Sequence, residues 1–175
     1  MSTPWRSMRR NERLAWAADH WRMAVPVLTT LAGILLMSFP LFTPSPAFPH
    51  LAMLSVLVWS LFQPQLMPAW VALPLGLVTD AALGLPLGIN ATLLPLLALV
   101  VGIGEQSVGR QEFSVEWGFA AIIILGYQSL SALLLAFVLG GEPGGPMLVQ
   151  GVATIFAYPP AVGIAALLQR RWVSR

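Results

Sequence analysis

Between Asp19 and Glu105 the chain has a single acidic side chain, Asp80, and between Arg22 and Arg110 it has no basic one. Its surroundings, Gly76-Leu-Val-Thr-Asp80-Ala-Ala-Leu-Gly84-Leu-Pro86-Leu-Gly88-Ile-Asn90, are otherwise small or apolar. A carboxylate there is costly unless it is paired, hydrogen-bonded or solvated. On an ideal helix Gly76 and Asp80 lie one above the other, and Gly84 continues the stripe. Two readings follow. In one, the glycines permit a close helix contact and the acid faces a partner helix or a polar cavity, as an orienting bond or as a proton or cation site. In the other, Asp80 ends a short helix at the headgroups and meets water. Gly84-Leu-Pro86-Leu-Gly88 then turns the chain, and the Asn90 side chain caps the next helix.

Other chemistry is sparse. There is no cysteine, so no disulfide or thiolate, and the two histidines, His20 and His50, are too few for a metal centre. No nucleophile elbow or phosphate-cradling glycine loop with a lysine is present. Without a nucleophile–base pair, an enzyme is not expected, nor a cofactor, a metal or a nucleic-acid partner. Gln128 and Ser131, with Tyr127 beside them, share a helix face, as do Gln150 and Thr154. Such residues either line a solute path or, more commonly, bond to a neighbouring helix.

The elements that must position these residues are membrane spans. The chain is 57% hydrophobic and 9% charged, against about a quarter charged for a soluble domain. Runs such as Ala120-Ala-Ile-Ile-Ile-Leu-Gly126 do not alternate as barrel strands do. Apolar runs and their breakers predict helices over about 24–42, 47–62, 68–83, 89–104, 117–139 and 147–168. The second to fourth are shorter than the usual ~20 residues, so they sit upright, thin the bilayer or re-enter it. Tyr158-Pro159-Pro160 should bend the last helix, and Pro95 the fourth more mildly. Ser45-Pro46-Ala47 has the spacing of a signal-peptidase site, but the apolar run before it is long and reads better as a first span.

Arginine placement sets orientation. Arg6, Arg9, Arg10 and Arg13 at one end and Arg170, Arg171 and Arg175 at the other put both termini in the cytoplasm, which six spans satisfy. The Arg110 loop is then inside and the Glu142 turn outside, and His20 and His50 fall on opposite sides. Arg6, Arg9, Arg10 and Arg13 share a helical face, which either grips anionic lipid or an acidic partner or only anchors the N-terminus inside. The expected division is a basic cytoplasmic segment over 1–22, a polytopic membrane domain over 23–169 and a basic tail over 170–175.

Gly76-x-x-x-Asp80-x-x-x-Gly84-x-Pro86-x-Gly88 resembles the central motif of the rod shape-determining protein MreD family. Pro49 before a span containing Trp59, Pro64 in the next loop, and a proline-kinked last helix ending in arginines fit the same order. The resemblance covers essentially the whole chain. It departs at Val58, where members often have an aromatic residue, and at Gln65 and Leu66, where they often have a basic one. It implies an all-α integral membrane protein with about six transmembrane helices, similar in fold to the S component of energy-coupling-factor vitamin transporters. The implied role is a non-enzymatic subunit of the elongation machinery in the bacterial cytoplasmic membrane. Its partner would be MreC, with MreB, RodA and a class B penicillin-binding transpeptidase completing the assembly. Helix packing would carry the mechanism, through Trp59, Gly76, Asp80, Gly84, Pro86, Gly88 and Asn90. The alternative is a small-molecule-binding subunit of a transporter, drawing on Asp80, Asn90, Tyr127, Gln128 and Gln150.

Overall fold

The computed structural model describes residues 10–38, 48–108, 113–140 and 145–173, with side chains for 24–38, 48–104, 113–140 and 147–171. Those residues form six α-helices: α1 Arg10–Ser38, α2 Leu51–Phe62, α3 Ala69–Leu83, α4 Ile89–Val108, α5 Phe113–Leu139 and α6 Gly145–Leu168. A π-helical turn, Gln169–Val173, ends the chain's described part, and no strand occurs among the described residues. The expected runs thus become helices. α1 starts well before the apolar run, at Arg10, so part of the basic segment is continuous with the first helix.

Length and burial sort the helices into two kinds. α5 and α6 are long and apolar enough to cross a membrane. At 1.5 Å per residue α5 reaches about 40 Å, against a hydrocarbon core of ~30 Å. Both present large side chains outward, with Ile122, Phe137 and Phe156 each more than two-thirds exposed. A surface of that kind is at home in lipid and not in water. α2 is the opposite case, about 18 Å long and buried from Ala52 to Ser60 except at the half-buried Ser55. A helix apolar all round belongs inside a bundle, and α2 is the central post, packed by α1, α4 and α6.

The main core gathers Leu57, Trp59, Leu94, Val101, Ile124 and Tyr158 around that post. Hydroxyls stitch α1 to it: Trp59 Nε1 donates to Thr29 Oγ1 at 2.9 Å, and Thr30 Oγ1 to Ser55 Oγ at 2.9 Å. The most intimate pair is the α3–α4 hairpin. Its turn is made by glycines. Gly84 has φ +65° and Gly88 φ +115°, conformations that side chains with a Cβ avoid. Helix α3 therefore stops at Leu83 and does not carry the glycine stripe on to Gly84. Tyr158 and the proline pair lie within α6, and Pro95 within α4, both helices continuing through them.

Candidate functional site

Asp80 sits in the last turn of α3 with no exposed surface at all, and Asn90, in the first turn of α4, is 1% exposed. The reading of Asp80 as a water-solvated helix end is thereby corrected. What stabilises the carboxylate is the start of the next helix. Its Oδ1 accepts from the Asn90 backbone N–H at 2.9 Å and from Asn90 Nδ2 at 2.8 Å. Its Oδ2 accepts from the Gly88 N–H at 2.9 Å and the Ala91 N–H at 3.2 Å. A helix N-terminus leaves such amides unpaired and carries partial positive charge, so an anion there satisfies both. The cap expected from Asn90 comes instead from Asp80, ten residues upstream.

A carboxylate has about four acceptor positions, and here all four are filled from within the chain. Among the described residues the bonds to Asp80 all come from its own hairpin. The glycines separate in the same way. A Cβ at Gly76 would lie 2.5 Å from Ala91 Cα and 2.6 Å from the Asn90 carbonyl carbon, so only glycine lets α3 approach the α4 backbone there. At Gly84 and Gly88 a Cβ would meet nothing within 4 Å, so those two serve the turn and not a close helix contact. Pro86 stands between them in the same turn.

The network extends from Asn90. Tyr127 of α5 donates its O–H to Asn90 Oδ1, and Tyr127 in turn meets His50. His50 is the N-cap of α2: its Nδ1 accepts from the Met53 N–H at 3.3 Å, which leaves the ring proton on Nε2. The imidazole meets the Tyr127 ring edge-on, with centroids 5.7 Å apart and planes at 79°. The His50 N–H donates in turn to Thr154 Oγ1 of α6 at 3.0 Å. One buried polar cluster therefore joins α3, α4, α5 and α6 at the head of α2. Asp80, Asn90 and Tyr127, three of the five groups that a solute site would draw on, are bonded to one another. The other two, Gln128 and Gln150, pair across α5 and α6 at 3.3 Å.

The remaining predicted residues fall elsewhere. Trp59 is buried but bonded to α1. Arg6 and Arg9 lie outside the described residues. Arg10 and Arg13 are placed by their backbone on the first turns of α1. Arg170 and Arg171 are exposed on the π-helical turn, which packs against α1. Sequence reasoning missed His50 and Thr154 as members of the Asp80 cluster. The position of His50, directly before a long apolar run, is that of a cap, but histidine is not among the usual capping residues.

These features define a helical membrane-type bundle organised by a glycine–aspartate hairpin. The model of the family described as rod shape-determining protein MreD matches residues 20–140, more than half of the chain, and the chain belongs to that family. The match is narrower than the whole-chain resemblance expected, and it stops before α6. No curated protein and no solved structure gives a significant match. Membership of the family assigns the chain a role in determining rod shape.

Proposed function

We propose that this chain is a non-enzymatic, six-span subunit of the elongation machinery in the bacterial cytoplasmic membrane. It binds MreC and helps direct sidewall peptidoglycan synthesis, with MreB, RodA and a class B penicillin-binding transpeptidase in the same assembly. Both termini are cytoplasmic. The observation that carries this reading is the family match over residues 20–140. Two helices of spanning length and four shorter apolar ones, at Ala24–Ser38, Leu51–Phe62, Ala69–Leu83 and Ile89–Gly104, support the six-span arrangement. In it the Asp80 cluster lies toward the periplasmic end, because α3 runs outward and α4 and α2 run inward.

The structural part of the role falls to that cluster. Fixing the α3–α4 hairpin and the head of α2 gives the bundle a rigid outer end, so that its lipid-facing surfaces are presented in one geometry. A subunit of this kind works by shape, and the S-component-like fold suggested by the motif is consistent with it. The reading is tested by co-purification: MreC, co-expressed with the tagged full chain, should be retained from solubilised membranes. Failure of MreC to co-purify with the folded chain would remove it as the direct partner.

A further inference from the structure

Of the helices with an exposed apolar face, α3 is the short one. It has 15 residues, against 29 in α1, 20 in α4, 27 in α5 and 24 in α6. α2 is shorter still but lies inside the bundle. α3 packs on α1 and α4, whereas α5 and α6 pack on each other, so the short span and the two tall ones stand on different sides of the bundle. The outer face of α3 carries Leu73, Leu77 and Val78, all exposed. Trp70, 76% exposed, ends that face beside the loop that holds Gln63 and Gln65. At the other end the hairpin tip shows Leu87, 72% exposed, and there is no polar or charged side chain between Asp80 and Asn90.

At 1.5 Å per residue α3 is about 22 Å long, about 8 Å short of a typical hydrocarbon core. Tilt cannot close that gap, because it only reduces the height a helix covers. Tryptophan settles at the lipid–water boundary, so Trp70 fixes the inner level of this face. The outer level follows from the backbone of the tip. Pro86 has no N–H, and those of Gly84, Leu85 and Gly88 are bonded to the Ala81 carbonyl, the Asp80 carbonyl and the Asp80 carboxylate. Among the described residues only the Leu87 N–H of this turn lacks a partner. Hydrocarbon offers no acceptor for it, and the ester carbonyls of phospholipid do. An apolar tip with one free donor therefore rests at the ester level. The bilayer must come down to meet α3, while α5, about 40 Å long, meets it at full height by tilting.

We infer that the chain thins the bilayer on one side: the α3 face takes phospholipid with short or compressed acyl chains, and the α5–α6 face takes lipid of ordinary length. This rests on the six-span reading. The chain has no cysteine, so Leu77→Cys on α3 and Ile122→Cys on α5, both exposed and near mid-helix, can each carry one fluorophore. The full chain is reconstituted in an equal mixture of short-chain myristoleoyl and long-chain eicosenoyl phosphatidylcholine, with a brominated, quenching copy of one or the other. Short-chain lipid should be enriched about two-fold at Leu77 relative to Ile122, since mismatch costs only fractions of a kcal/mol per Å. The same ratio at both positions would overturn the inference. So would a Leu77 label that neither lipid quenches while Ile122 is quenched normally, because protein would then cover α3. A label at Leu87→Cys gives a second readout. Its depth should stay at the ester level when the host lipid is changed from myristoleoyl to eicosenoyl, and a label that sinks below the esters as the chains lengthen would show that the bilayer does not thin. Quenching of the Leu77 label by aqueous iodide would instead remove the six-span reading, and the one-sided thinning with it. Unchanged melting temperatures confirm that each labelled chain is folded.

Discussion

Asp80→Asn isolates the account of the buried carboxylate, because it keeps the side chain's shape and changes only what its atoms do. One oxygen becomes an NH₂ group, so two of the four donors now facing Asp80 meet another donor. They are drawn from the Gly88, Asn90 and Ala91 backbone amides and Asn90 Nδ2. A buried donor left unsatisfied costs about 1–3 kcal/mol, so the loss is about 2–6 kcal/mol before the charge at the helix N-terminus is counted. That charge adds up to ~2 kcal/mol in partly buried geometries. For a chain of this size 1 kcal/mol moves the melting temperature by about 2–4 °C, so a fall of at least about 4 °C is expected. The assay is thermal unfolding of the full chain in a mild detergent, followed by its monodisperse fraction. Hydrogen exchange adds a local readout, since the Gly88, Asn90 and Ala91 amides should lose protection while those of α5 keep theirs. A water-exposed aspartate would give a change within about 0.5 kcal/mol. An unchanged melting temperature with protection intact at Asn90 and Ala91 would therefore refute the reasoning.

Gly76→Ala should destabilise the chain by about 1–3 kcal/mol or more, because the new methyl strikes α4 backbone that cannot swing aside. Gly126→Ala on α5, where a Cβ meets nothing within 4 Å, should be neutral or slightly stabilising in the same melt. Tyr127→Phe removes the O–H bonded to Asn90 and should cost about 1 kcal/mol, with Asp80→Asn and Tyr127→Phe coupled in a double-mutant cycle because they share Asn90. Reporter fusions at both ends of the chain should show cytoplasmic activity only, as six spans require, and a periplasmic signal at either end would exclude that arrangement.

The helices were legible because each apolar run is bounded by a strong breaker. Gln63-Pro64-Gln65 ends α2, the two turn glycines separate α3 from α4, and the Gly140 turn follows α5. The hairpin motif was legible too, but its working was not. A period of 3.6 places Gly76, Asp80 and Gly84 on one face, and only the backbone reveals that the helix has already ended at Leu83. Nor can local spacing show that Asp80 turns back onto amides eight to eleven residues ahead, since that depends on how closely Gly76 lets the hairpin shut. His50, Tyr127 and Thr154 lie far from Asp80 in sequence, and their meeting is a product of packing around α2 that no motif encodes. The rule that a membrane-embedded acid needs a neutralising base did not anticipate this arrangement. Four oriented N–H groups serve Asp80 as well, and they cannot be recognised before the helix they cap is in place.

The central claim, a role in rod shape carried by this bundle, is tested most directly by depleting the protein in a rod-shaped host that normally makes it and imaging the cells. Depleted cells should widen and round. Wild-type protein should restore rods, and Gly76→Ala should do so poorly in proportion to its lost stability. Cells that keep normal width and length through full depletion would contradict the account.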